Sequence, residues 1–376
     1  MSNPLKDIYN KVFLQQFSEK VNAVYHSFDK AGFVASLIGN TSWNGLALKA
    51  RMRRITEALG QYLPNRYEDA LDILFAIDKD CIGFPYLFFP DFVAVYGQAE
   101  DHWDLSMKAL ERFTMKSSAE FAVRAFLLRD PERMMSQMEE WAKHPNEHVR
   151  RLASEGCRPR LPWGEALSLF KRDPAPVLRV LELLKADPSP YVRKSVANNL
   201  NDITKDHPAV VLETACRWKG MNPHTDWIVR HACRTLIRKA DPAAMALFGY
   251  AEPAGGEASL ATVASLSAEP RVLPIGGSCE LTYELHIREG EPVHIRIEYG
   301  IDFVKARGQT SRKSFLLSDK IVPGGARLSG GRTHHWADLT TRRHYPGEHQ
   351  LVLLVNGRET AYAVIKLEAG NIEHTT

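Results

Sequence analysis

Long apolar runs are missing from this sequence. Nowhere do eighteen consecutive apolar residues occur, so no segment reads as a membrane-spanning helix. The opening stretch, MSNPLKDIYNKVFLQQFSEK, mixes apolar with charged residues and lacks the uniform apolar core of a signal peptide. A cytoplasmic protein is expected. Cysteine is scarce: Cys81, Cys157, Cys216, Cys233 and Cys279 are odd in number and never spaced as CxxC, so neither a disulfide framework nor a zinc knuckle is encoded. Fourteen histidines include the pair His334-His335, but no HExxH occurs, and no metal site is expected. A GK[ST] ending is absent as well, so the glycines of IVPGGARLSGGRTHHW make no phosphate loop; a mobile hairpin is expected there. Nor is there a large charge of one sign, the formal net charge being only +3.

What is present is length and a change of period. A chain of 376 residues with 44% hydrophobic content can bury two cores. Up to about residue 250 apolar residues recur at helical spacing, as in Val177, Val180, Leu181 and Leu184. Beyond a Pro/Gly/Ala-rich stretch the pattern turns to alternation, in CELTYELHIR, PVHIRIEYGID, KSFLLSDKIV, HQLVLLVNG and TAYAVIKLE. The expected organisation is an all-α domain over 1–250, a linker over 251–258 and an all-β sandwich of immunoglobulin-like architecture over 259–376, with about seven strands. The Cys-Trp-Cys core of true immunoglobulins is not there.

Three stretches repeat: HPNEHVRRLASEG, DPSPYVRKSVANNL and NPHTDWIVRHACRTL each begin with a Pro-containing turn and place Val149, Val192 and Val229 at the head of a helix. Their spacing is that of two-helix HEAT-like repeats, so an α-solenoid follows. At 100° per residue, Val192, Val196, Asn199 and Ile203 share one face of the second repeat helix, while Lys194, Asn198 and Asp202 line another. The same register puts Arg151 and Glu155 in that polar column in the first repeat, and His231 and Thr235 in the third. From Trp141 to Asp241 there are eighteen Lys/Arg against eleven Asp/Glu, a surplus suited to a phosphate backbone. The column and its flanks, Arg151, Arg158, Arg160, Lys194, Asn198 and Arg230, are the candidate contacts to a phosphate backbone. Arg151 and Glu155 also read as an ordinary surface i,i+4 ion pair.

The strings EHVRRLASEGCRPRLPW, YVRKSVANNLNDITKDHP and DWIVRHACRTLIRK resemble the AlkC branch of the bacterial HEAT-like-repeat DNA alkylation repair glycosylases, some of which carry a C-terminal immunoglobulin-like domain. The resemblance implies excision chiefly of 3-methyladenine and 3-methylcytosine from double-stranded DNA without metal or organic cofactor; a monomer is the default expectation, and a cytoplasmic protein associated with the nucleoid during repair is expected. It also implies a lesion left in or near the base stack and a site of carboxylates with an aromatic residue. The matching positions are Glu120, Glu155, Asp202 and Trp163. The helical register supports Glu155 and Asp202 but places Glu120 away from the column. Trp163, after Pro162, has the alternative role of a hydrophobic staple for the next helix. In the sandwich, cations between Lys305 and Arg343, with Arg312, Lys313 and Arg332 as candidates, are expected on loops that reach DNA. The rival readings are a HEAT-repeat binding scaffold and a catalytically inactive sensor of DNA structure.

Overall fold

A computed structural model describes residues 4–39, 42–251, 259–340 and 342–369. The chain forms two compact units, Met1–Ala232 and Cys233–Thr376. Within the described residues the first unit holds fourteen α-helices. These are α1 (Lys11–Val24), α2 (Lys30–Ile38), α3 (Leu48–Tyr62), α4 (Tyr67–Ile77), α5 (Phe88–Tyr96), α6 (Trp103–Thr114) and α7 (Val123–Arg129). They continue as α8 (Pro131–Trp141), α9 (Glu147–Gly156), α10 (Ser168–Arg172), α11 (Ala175–Leu184), α12 (Pro190–Ile203), α13 (Pro208–Trp218) and α14 (Pro223–Ala232). None of the described helices is long and apolar enough to cross a membrane.

The three repeats are α9, α12 and α14, with α12 packed between the other two. Proline starts α12 and α14 where a helix has no use for the missing N–H, and the Asn146 side chain caps α9 by accepting from the His148 amide. Val149, Val192 and Val229 are all buried, as their register requires. The Val-Arg repeat has its own explanation. Nη1 of Arg150 reaches back to the carbonyls of His144 and Pro145, and Nη1 of Arg193 does the same to Asp187 and Pro188, so each arginine staples the turn that precedes its helix. Arg230, half-buried on α14, occupies the same register.

In the second unit, helices α15 (Arg234–Arg238) and α16 (Pro242–Leu247) precede eight strands rather than about seven. They are β1 (Ala261–Glu269), β2 (Val272–Pro274), β3 (Ser278–Ile287), β4 (Val293–Val304), β5 (Thr310–Val322), β6 (Arg327–His335), β7 (Gly347–Val355) and β8 (Arg358–Glu368). One sheet runs β1-β3-β6 and the other β2-β8-β7-β4-β5, with only the β2–β8 pair parallel. Leu281, Tyr299, Ile301, Phe303, Trp336 and Leu351 meet between them. The indole of Trp336 donates to Cys279 Sγ at 3.3 Å within this core, and all five cysteines are free thiols. Tyr250 belongs with this unit: it stacks on His294 and donates to Asp319 at 2.8 Å. The division between units therefore falls ahead of the change of sequence period, and all of the expected linker except Ala251 lies outside the described residues.

The expected hairpin is not one. β5 and β6 belong to different sheets, and the Pro323-Gly324-Gly325 turn carries the chain from one to the other. Gly330 and Gly331 lie inside β6, where a Cβ at Gly330 would come within 2.9 Å of the Tyr283 ring. A Gly-punctuated string reads alike whether it joins paired strands or crosses between sheets, which is why the sequence misleads here.

Candidate active site

The site grows from the packing of α9 on α12. Ser154 Oγ donates to Ser195 Oγ at 2.7 Å, Ser195 Oγ donates to Glu155 Oε2 at 2.7 Å, and Asn199 Nδ2 donates to the Ser154 carbonyl at 2.8 Å, all of it buried. Gly156, ending α9, lets the helix press on its neighbours; a Cβ there would lie 2.6 Å from Val123 Cγ2. These contacts fix Glu155, whose exposure is only 6%.

From Glu155 the charges alternate in both directions. Arg158 Nη1 donates to Glu155 Oε1 at 2.7 Å, while its Nε and Nη2 approach Asp202 Oδ2 at 2.9 and 2.8 Å. Lys205 Nζ closes that end on Asp202 Oδ1 at 3.1 Å. On the other side Arg151 Nη2 lies 3.5 Å from Glu155 Oε1 and Arg151 Nη1 pairs closely with Glu120. Ser118 Oγ donates to Glu120 Oε2 at 2.9 Å, and the half-exposed ring of Tyr191 covers Arg151 with its centroid 5.2 Å from the guanidinium. The result is one chain of charges: Glu120, Arg151, Glu155, Arg158, Asp202, Lys205. Burial works against the Arg158 charge, but Glu155 and Asp202 outweigh it and hold the guanidinium above its usual range.

The structure thus unites Glu120, Glu155 and Asp202. Glu120 is not away from the column, because it comes from the turn before α7 and meets Arg151 from another element, which a single-helix register cannot show. Arg158 is the largest correction. At 7% exposure between two carboxylates it is an internal strut and has no face to offer a phosphate. Arg160 is bidentate to Asp206 through Nε and Nη2. Lys194 is exposed, Asn198 is half-buried and Asp202 has only 4% exposure, so the expected surface column runs from solvent into the interior. Sequence reasoning missed Ser195, Tyr191, Lys205 and Ser118. Lys205 was legible three residues beyond Asp202, within helical reach; the others needed the packing.

Trp163 is no staple. It stands 63% exposed in the loop after α9, with φ of +62°, and among the described residues of the first unit it alone has a positive φ without being glycine. Such a backbone costs about 1–3 kcal/mol and persists where surrounding contacts impose it. In the second unit Arg312 is on β5 and pairs with Asp302 at 2.7 Å and with Glu359; Lys313, also on β5, and Arg332, on β6, are exposed. The expected loop cations are therefore largely strand residues, and His334 is buried.

This combination, a carboxylate-rich charge chain in a HEAT-like helical unit followed by an immunoglobulin-like sandwich, has relatives. Residues 98–236 match the family described as "DNA alkylation repair enzyme", and residues 262–369 match that described as "Uncharacterised protein YhaZ, C-terminal Ig-like domain". The chain is 47% identical to the YhaZ protein of Bacillus subtilis (strain 168) over 94% of its own length and 96% of that protein's. It superposes on the alkylpurine DNA glycosylase AlkC of Pseudomonas fluorescens, solved bound to DNA containing an abasic site analogue, with a TM-score of 0.90 and 41% identity, covering 98% of this chain and 100% of that one. The chain belongs to the AlkC-type DNA alkylation repair family, in the form with a C-terminal immunoglobulin-like domain.

Proposed function

We propose that this protein is a DNA glycosylase that releases cationic N-alkylated bases, 3-methyladenine and 3-methylcytosine, by hydrolysing the N-glycosidic bond. The observation that carries the reading is the convergence of Glu120, Glu155 and Asp202 from three elements, in a chain 41% identical to an alkylpurine DNA glycosylase. Three acids drawn together in a largely buried chain of ion pairs are costly to desolvate, a cost that catalytic work explains.

That chemistry suits carboxylates. Alkylation at N3 leaves the base positively charged and ready to depart without a proton from a general acid. The barrier lies in positive charge developing on the deoxyribose as the bond stretches, as in glycoside hydrolysis. Carboxylates fixed in advance stabilise that charge without reorganising, and one of them can orient the attacking water. Ser195, Arg158 and Arg151 do the fixing. The exposed Trp163 ring meets the nucleotide by stacking or by attraction to the cationic base. Enzymes of this kind commonly flip the base into a pocket; this one approaches the lesion from its backbone side and leaves the base in the stack, as the open face of a helical repeat permits.

Incubating the protein with methylated duplex DNA and measuring free bases tests the reading. Release of 3-methyladenine and 3-methylcytosine above the spontaneous rate is expected. Tight DNA binding with no release would instead identify an inactive sensor.

A further inference from the structure

The loop that carries Trp163 is held from behind by a residue far away in sequence. Lys49, on α3, donates its Nζ to the Trp163 carbonyl at 2.7 Å. The same ammonium sits 4.7 Å from the centroid of the Phe121 ring, and Phe121 directly follows Glu120. One cation therefore touches both the strained residue of the tryptophan loop and the turn that supplies a site carboxylate. Lys49 lies outside residues 98–236, the span that matches the repair-enzyme family.

The surroundings explain why such a tether is needed. Arg124, on α7, donates Nη1 to the carbonyls of Gly156 and Arg158 at 3.0 Å each and Nη2 to that of Glu165, so it grips the loop at both ends but leaves Trp163 between its grips. Behind the loop lies a cavity of about 360 Å³ walled by Lys49, Arg53, Asp91, Phe121, Arg124 and Glu165. Gly164 and Glu165 of the loop form part of its wall. A left-handed backbone at a tryptophan relaxes unless something holds it, and the Lys49 hydrogen bond acts on that residue's own carbonyl. Burial lowers the Lys49 pKa, the mark of an ammonium drawn partly out of water to make this contact.

We propose that Lys49 is a positioning residue that holds Trp163 in its projecting, left-handed conformation and so sets where the ring meets the nucleotide. The proposal rests on the reading of Trp163 as a DNA-facing group, and the test separates the two. Lys49→Met keeps the aliphatic stem and removes the donors; Lys49→Arg keeps donors. The first measurement is hydrogen exchange of the full-length protein over residues 157–167, where the Gly164 amide bonds the Leu161 carbonyl and the Leu167 amide bonds that of Pro159. Faster exchange confined to this segment is expected in Lys49→Met and not in Lys49→Arg. Unchanged exchange in Lys49→Met overturns the proposal whether or not the protein releases bases.

The second measurement is a double-mutant cycle on single-turnover excision. Displacement of a contact group by about an ångström costs up to roughly a hundredfold, so Lys49→Met and Trp163→Ala are each expected to slow excision by about tenfold or more, with Lys49→Arg near the parent. If Lys49 acts through Trp163, the double variant is no slower than Trp163→Ala. Multiplying effects, or a Lys49→Met loss beside an unaffected Trp163→Ala, overturns the proposal. Absence of base release by the parent defeats the functional reading, and the exchange measurement still decides the tether.

Discussion

The two units differ in the polar groups at the centre of their packing, although the β unit also holds a cluster of Arg296, Glu298 and Asp319. In the helical unit the packing around α9 and α12 holds full charges that alternate in sign, each paired with the next. In the β unit the interior holds imidazoles: His334 sits among Tyr299, Phe315 and Trp336, with His344 and His349 against the same tryptophan. Desolvation lowers all three histidines, His334 to about 4, so they remain neutral and pack as aromatic rings. Buried ion pairs are commonly no more stabilising than apolar residues of equal volume. The chain of charges in the first arrangement is therefore the candidate for chemistry that the following variants test.

Breaking the charge chain at its middle tests this most severely. Arg158→Ala leaves Glu155 and Asp202 facing each other without their shared cation, and the helical unit should lose about 3–5 kcal/mol. Urea unfolding followed by circular dichroism measures it. The salt dependence of DNA binding by the folded fraction should stay as in the parent, since Arg158 meets carboxylates and no phosphate; a shallower slope would return it to the DNA interface.

Glu155→Gln and Asp202→Asn come next. Each keeps shape and most hydrogen bonds while removing a charge, so base release should slow by on the order of a hundredfold. DNA affinity should hold or rise, because a negative charge is removed and no phosphate contact is lost. Single-turnover excision equal to the parent in both variants would reduce the chain to a structural ion-pair array.

The β unit should respond to acid where the charge chain's logic does not apply. An unfolded histidine takes up a proton near pH 6.5, whereas folded His334 does so only near 4. Between those values the unfolded chain binds the extra proton, so this unit's stability is complete above about 6.5 and declines as pH falls toward 4. Arg342, His344, His335 and Arg332 add repulsion to the protonated form. Melting the protein across this range, with His334→Gln as comparison, should show a smaller pH slope in the variant. Identical slopes would place the acid sensitivity in other groups.

Sequence carried the fold far, for a physical reason visible in Val149, Val192 and Val229: each repeat must bury an apolar residue at the same register, and periodicity reports that directly. The alternating strands were legible for the same reason. Pairing was not, because a Pro-Gly-Gly turn has the same chemistry at a hairpin and at the β5–β6 crossover. In the candidate site, Glu155 and Asp202 were named by resemblance and supported by helix geometry. Glu120 rested on resemblance alone, since its place depends on a turn packed against α9. Arg158 was misread because it lies just past the end of α9: a local string shows a basic residue there, but its carboxylate partner Asp202 arrives from another repeat.

The smallest effect separates free cations from committed ones across both units. Lys194 is exposed on α12 with no ion-pair partner among the described residues, and Lys313 is exposed on β5, whereas Arg312 beside it is paired with Asp302 and Glu359. A cation that meets a phosphate releases a counterion, so its loss makes the log–log dependence of affinity on salt shallower by about one unit. A cation already neutralised by two carboxylates has little to release. Lys194→Ala should therefore lower the slope by about one while weakening binding to all sequences alike, and Arg312→Ala should leave it unchanged. Lys313→Ala decides the part played by the β unit. A change matching that of Lys194→Ala would make the sandwich a second DNA-contacting surface, and an unchanged slope would confine phosphate contacts to the helical unit.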